Sequence, residues 1–327
     1  MSAPTPDVLV VGAGICGVAC ARALTAAGVG VRVVERSGRP GGRLASPPLH
    51  DRPVDLGAAY VTASDEEFAA LVRDWTDRGV VRPWTDTLRA RAEDGSWSSK
   101  QGPERYGAPG GLRSLVADLA EGLRIETRRT VEAVTAGPAG PAVDGEEARA
   151  VVLAMPDPQA ARLLGAPLRA AEVVAGRAWN AQIAVAMGFT RRCWDELPAA
   201  FVNGHPDVSI IADDGSRRGA DAPVLVAHTP VDLARRHLED PDAVIAPVVD
   251  ATVELLGLPE RPVWTHQHRW SFASPADPHD APADAPFHLD ADLVGLAGDG
   301  WGSPKVETAW RSGTLLGRAL AQRLAAG

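Results

Sequence analysis

Gly12-Ala-Gly14-Ile-Cys-Gly17 sets three glycines at the spacing G-x-G-x-x-G, and Glu35 closes the next apolar run. Glycines so placed allow a tight turn and let a pyrophosphate approach a helix N-terminus, where free N–H groups and the helix dipole favour an anion. A carboxylate at Glu35 accepts hydrogen bonds from a ribose hydroxyl. These residue types imply dinucleotide binding; a purely structural glycine turn is the alternative. A second group follows, Gly41-Gly42-Arg43. There, two glycines expose backbone amides to phosphate and the guanidinium supplies fixed positive charge. A third lies near the far end, where "LVGLAGDGWGSPKVE" (293–307) carries Gly298-Asp299 and Trp301 out of an apolar run.

The elements that must position these residues can be read around them. "DVLVVGAG" is a short strand, 15–27 an Ala-rich helix closed by Gly28, and "VGVRVVERS" a second strand. That is a β-α-β unit with parallel strands and a right-handed crossover. Ser64 with Glu67 has capping-box form, and Phe68, Leu71, Val72 and Trp75 recur at helical spacing behind it. Leu112, Leu115, Val116 and Leu119 mark another helix, and "ARAVVLAMP" is an apolar strand stopped by Pro156 before a short helix at 157–164. Between 171 and 287 the text changes to alternating segments with one helix at 242–256. Two polar stretches there, "ADDGSRRGADAP" and "SPADPHDAPADAP", read as exposed connections. Parallel-sheet text then returns, and Ser303 as cap with Pro304 in first position opens the last helix.

At this point the chain resembles the FAD-dependent amine oxidases and related flavin oxidoreductases, in which the glycine fingerprint, the acid and Gly-Gly-Arg recur in this order. "VDLGAAYVTA" (54–63), "RYGAPGGLRSLVADLA" (105–120), "VVLAMPDPQAARLL" (151–164) and "GLAGDGWGSPKVETAWRSG" (295–313) look like the renalase-type branch. The resemblance implies an α/β fold: a Rossmann-like FAD-binding domain of the p-hydroxybenzoate hydroxylase type with an inserted antiparallel-sheet substrate domain. Residues 1–75, 104–170 and 288–327 would form the first, and 76–103 and 171–287 the second. Noncovalent FAD would be held by Gly12, Gly14, Ile15, Cys16, Gly17, Glu35, Arg36, Gly42, Arg43, Leu44, Gly57, Ala58, Ala59, Val131, Met155, Gly298, Asp299, Lys305 and Val306. Tyr60, Trp301 and His268 would meet substrate.

The implied activity is that of an oxidase taking hydride from a small, dihydronicotinamide-type substrate and passing electrons to O2, giving H2O2. A pathway-specific amine oxidase or desaturase and a non-catalytic FAD-binding protein are the alternatives. Ala59 and Val61 stand where relatives commonly have glutamine and phenylalanine, and Thr308-Ala-Trp310-Arg311 is bulkier than usual, which favours a different substrate. Asp299 lacks the following His of aromatic hydroxylases. Lys100 and Lys305 are the only lysines, which disfavours a standard amine oxidase, and no cysteine near the last motif offers a covalent flavin link.

A net charge of −9 argues against general affinity for nucleic acid or anionic membranes. The three cysteines form no disulfide framework, and His266 and His268 lack companions for a metal site. With no signal-peptide pattern and no apolar run near the ~18 residues of a membrane span, a cytoplasmic location is expected.

Overall fold

The chain, in a computed structural model that describes residues 7–326, divides into two units. One comprises Met1–Arg43, Leu115–Trp179 and Ser274–Gly327; the other comprises Leu44–Ser114 and Asn180–Ala273.

The first unit is built on six strands in the order Phe287–Leu289, Val294–Ala297, Ala150–Leu153, Val8–Val11, Val31–Glu35, Ile125–Thr127. All pairings are parallel except the edge hairpin of Phe287–Leu289 with Val294–Ala297. Val8, Leu9 and Val10 are wholly buried, as continuous apolar runs are in a parallel sheet covered on both faces. The helices Ile15–Ala26 and Val306–Ala326 approach closely: a Cβ on Gly313 would lie 2.1 Å from the Cys16 carbonyl oxygen, and one on Gly317 2.6 Å from that of Cys20. Both cysteines are therefore packing residues, and burial pushes the Cys20 thiol up to about 12. A small sheet of Val134–Ala136, Pro141–Val143 and Glu146–Glu147 completes this unit.

The second unit carries seven strands in the order Trp264–Pro275, Trp179–Gly188, Val224–His228, Ile210–Asp213, Ala199–Val202, Arg82–Arg91, Trp97–Gly107. Here the residue alternation of a strand sorts side chains to two faces. Ile183, Val185 and Met187 join the core under the helix Ile245–Leu256, while Ala184 and Ala186 join Val54 and Leu56.

Several boundaries differ from the sequence reading. Residues 44–75, read as nucleotide-domain text, fall in the second unit, because Val61 bridges Tyr106 and Leu56 packs on Ala184 and Val226. Residues 104–114, read the same way, also fall in the second, while 171–179 and 274–287, read as substrate-domain text, fall in the first. Asp65, not Ser64, caps the helix Glu66–Asp77; its carboxylate accepts from the Glu67 and Phe68 amides, each at 3.1 Å. The last helix begins at Val306 rather than Pro304, since the Lys305 amide turns back to the Ser303 carbonyl at 2.7 Å. No helix among the described residues is long and apolar enough to cross a membrane.

Candidate functional site

In the first unit the glycines of the fingerprint differ in what they permit. Gly12 has φ +105°, and its Cβ would lie 2.7 Å from the Ala154 carbonyl oxygen; a Cβ on Gly17 would lie 1.9 Å from that of Gly12. Those two are required by the fold. Gly14 is not: its Cβ would meet only the Gly42 Cα, at 3.9 Å. Gly14 and Gly42, the latter at φ +54°, thus face each other across a backbone-lined cradle. Gly14 also caps the helix Ile15–Ala26, which has no side-chain cap and no acid in its first turn. Its leading amides are left for an anion, and Ile15 and Cys16 occupy that turn as buried residues.

Glu35 stands beside this cradle. One oxygen accepts from the Ala13 amide and the other from the Ser37 amide, both at 2.8 Å, which fixes the carboxylate while leaving lone pairs for a ribose hydroxyl. Arg36 is exposed next to it. Cradle, bare helix end and anchored acid fit the pyrophosphate and ribose of FAD. Glu35→Ala is expected to weaken FAD binding about 10- to 100-fold, the effect of losing hydrogen bonds to a charged acceptor, read by titrating FAD into the apoprotein.

The C-terminal motif closes a second arrangement in the same unit. Asp299 is 5% exposed and accepts two hydrogen bonds from Arg43, at 2.6 and 2.7 Å, a bidentate pair that fixes both planes. Arg43 also lies 5.1 Å over the Trp179 ring. Trp179 donates Nε1 to Asp157 at 2.9 Å, and the other Asp157 oxygen holds His279 Nε2 at 3.0 Å. His279 stacks on Trp301, centroids 3.9 Å apart and planes 9° from parallel. These side chains enclose Gly300, whose Cβ would meet Trp179 at 3.2 Å and Asp157 at 3.5 Å. The Gly298 amide donates to Ser312 Oγ. Val131 and Met155 belong to the apolar cluster that also receives Trp301. Lys305 is exposed, and Val306 opens the helix.

Sequence reasoning missed Asp157, Trp179 and His279. The stretch holding His279 reads as an exposed connection, yet its side chain is only 8% exposed. No local signal marks it, because its partners lie far along the chain.

In the second unit Gly57, Ala58, Ala59 and Tyr60 form one half-buried loop. Arg217 holds it, donating to the carbonyls of Ala59 at 2.9 Å and Asp55 at 3.0 Å. Arg217 belongs to a buried set with Asp55, Asp214 and Arg218. Arg218 Nε lies 2.8 Å from Asp214 and its NH2 3.1 Å from Asp55, while Ser46 Oγ and the Leu112 amide donate to Asp55. Burial alone would raise the Asp214 carboxyl, but Arg217 and Arg218 outweigh it and hold the group below its ordinary value. The stretch 212–223 therefore does not behave as the exposed connection its composition suggests: Asp214–Arg218 is a buried helical turn.

Tyr60 lies 6.3 Å from Trp84 and 5.4 Å from the Arg105 guanidinium. His268 is half-buried with its ring 4.2 Å from Trp270, whose Nε1 donates to the Leu56 carbonyl at 2.7 Å. Burial, then His266 and Arg113, lowers the His268 pKa; His266 itself is exposed. Leu44 is buried at the start of this unit. Among the described residues no group of three or more His, Cys, Asp or Glu is placed to hold a metal ion.

His228, 7% exposed on the strand Val224–His228, is pushed down to about 4 by burial and then by Arg217. The unfolded chain, with an imidazole near 6.5, binds a proton between those values that the folded chain refuses. The imidazole's contribution to stability is therefore complete above pH ~6.5 and lost as pH falls toward 4. Urea unfolding at pH 7 and pH 5 should show the wild type losing roughly 2 kcal/mol more than His228→Gln over that step; equal losses would mean that His228 is hydrated in solution.

Comparison with known proteins adds to this geometry. An NAD(P)-binding Rossmann-like domain matches residues 10–75, and the family described as flavin containing amine oxidoreductase matches residues 77–319. A phytoene dehydrogenase of Streptomyces griseus is 38% identical over 96 residues, which is 28% of this chain and 19% of that protein. Polyamine oxidase 5 of Oryza sativa subsp. japonica is 36% identical over 74 residues, 22% of this chain and 15% of that protein. The chain thus matches less than a fifth of the length of these curated relatives. Among solved structures, wild-type putrescine oxidase bound to putrescine superposes with TM-score 0.75 at 18% identity, covering 98% of this chain and 99% of that one. A putative protoporphyrinogen oxidase from Exiguobacterium sp. 255-15 gives 0.76 at 13% identity, covering 98% and 100%. At such identities the likeness is one of fold.

Proposed function

We propose that this chain, which belongs to the flavin containing amine oxidoreductase family, is a renalase-like oxidase with noncovalent FAD, acting on a small hydride donor of the dihydronicotinamide type. Family membership makes it a flavoprotein. Bound FAD would supply the hydride acceptor, with O2 as the acceptor of the electrons and H2O2 as the product. The chain's own residues hold and orient. The helix behind Gly14 and the Gly14–Gly42 cradle would take the pyrophosphate, Glu35 the adenosine ribose, and Asp299 with Arg43 the polar groups nearer the flavin. The first unit is then the FAD-binding domain, and the second, with Tyr60 and His268, the substrate domain.

The observation that carries the substrate class is the lysine inventory. Amine oxidation must remove a proton from an ammonium group as well as a hydride, and standard amine oxidases resemble one another in a lysine near the flavin. Here both lysines, Lys100 on the strand Trp97–Gly107 and Lys305 before the last helix, are exposed. A dihydronicotinamide becomes an aromatic cation on losing hydride alone, so it needs no base. Ala59 keeps a second reading in view, a flavin oxidase or desaturase for another small molecule. It is half-buried in the loop held by Arg217, whereas Val61, also changed from relatives, is 1% exposed in the core.

The test is anaerobic mixing of the yellow protein with dihydronicotinamide isomers, NAD(P)H and a panel of amines, followed at the flavin band. Fast bleaching by a dihydronicotinamide isomer is expected. Bleaching by amines alone moves the chain to the second reading, and no bleaching by any class leaves a non-catalytic flavoprotein.

A further inference from the structure

We infer that Arg105 is the anchor for an anionic group on the ligand of the second unit, a carboxylate or phosphate carried by a flat unsaturated body. Arg105 is 9% exposed. Its NH1 donates to two backbone carbonyls, Asp86 at 2.9 Å and Pro103 at 3.1 Å, and its buried Nε has no hydrogen-bond partner. Among the described residues no carboxylate lies within ion-pair distance of it, and the Asp86 carboxylate feels its charge only as the weakest of the influences on it. The neighbouring Asp86 directs its oxygens to Gln101 and Thr87, each at 2.7 Å. A buried guanidinium is costly unless a negative group compensates it, and the other two buried arginines described in this unit follow that rule: Arg217 and Arg218 are matched by Asp55 and Asp214.

The backbone around Arg105 is shaped for the same purpose. It sits in the edge strand Trp97–Gly107 opposite Thr85, and the register shifts on both sides of that pair, between Pro83 and Thr85 and between Thr85 and Thr87. Such bulges re-aim side chains and gather beside functional sites. Trp84 is one of the residues set out of register. Its Nε1 is tied to Ser216 Oγ at 2.9 Å, and its ring is brought near Tyr60. Guanidinium, Tyr60 and Trp84 thus stand in a row, the cation 5.4 Å from the first ring and the rings 6.3 Å apart, suited to a planar body bearing an anion.

This inference rests on the proposed substrate reading and narrows it to donors that carry a carboxylate or phosphate. Calorimetry on the FAD-loaded protein with phenylacetate, phenyl phosphate and the neutral phenylacetamide tests it. Wild type should bind at least one anion ~10-fold or more tighter than the amide, and the preferred anion tells the two sources apart. Arg105→Met should abolish that preference while leaving amide affinity within about twofold, and Arg105→Lys should restore part of it. Equal binding of anions and amide by wild type, or an equal fall for all three probes in Arg105→Met, overturns the proposal. The readout does not depend on flavin reduction: missing bleaching by dihydronicotinamides with a retained anion preference sinks the oxidase reading alone.

Discussion

Gly14→Val is expected to fold and melt like the wild type and to purify colourless. The residue has φ −75° and ψ 177°, a conformation open to any L-amino acid, and its Cβ would meet only the Gly42 Cα at 3.9 Å. Nothing within the protein demands glycine there, so the demand comes from what the cradle receives. A side chain in that space displaces a pyrophosphate from the helix amides. FAD affinity should fall more than ~100-fold, about 2.7 kcal/mol or more, with Gly14→Ala losing about tenfold. Gly17→Ala is the contrasting control, because its Cβ would overlap the Gly12 carbonyl at 1.9 Å and the turn itself must break. Apoprotein melting temperature and FAD titration separate the two effects. Wild-type FAD affinity in a folded Gly14→Val would show that the pyrophosphate does not lie over this helix end.

That contrast also explains which parts of the molecule were legible in its sequence. The fingerprint, Glu35 and the Asp299 turn are contiguous devices, in which a strand, a turn residue and a helix start within a few positions satisfy one another. The parallel sheet follows from them, because β-α-β units close in one hand. The stretch 212–223, misread as exposed, and His279, buried within the largely exposed stretch 274–286, share one reason. Asp, Arg, Pro and Gly in a row are the composition of a solvated loop, and only a distant partner makes their burial tolerable. Asp157 and His279 are 122 residues apart in sequence, and Asp55, whose backbone amide donates to Asp214, accepts Arg218 from far along the chain. Single residues were displaced by a similar competition: Ser64 and Asp65 both can cap a helix, and the carboxylate at Asp65 also meets the helix dipole. Trp301 could be proposed from the contiguous motif that holds it, but His279, which stacks on it, could not.

The buried set around Asp214 should be the most sensitive point of the second unit. Two aspartates and two arginines there sum to zero charge, with Asp55, Asp214 and Arg217 each no more than 1% exposed. Asp214→Ala leaves two guanidinium groups facing one carboxylate, and breaking such a set from one side costs about 3–5 kcal/mol. The effect should be largest above the ordinary carboxylate range. Asp214 is held below its usual value by the two arginines, so its contribution is complete above an unfolded pKa of ~3.9 and disappears only as pH falls through the lower folded value. Removing charge symmetrically separates packing from electrostatics: Asp214→Asn with Arg218→Met leaves Asp55 and Arg217 as a neutral pair and should recover at least half of the loss. Arg217 also carries the Ala59 carbonyl, so Asp214→Ala should raise hydrogen exchange at 57–60 before it unfolds the sheet. A loss below ~1 kcal/mol in urea unfolding, the range of exposed ion pairs, would mean that water reaches these charges and that something else holds the Tyr60 loop in place.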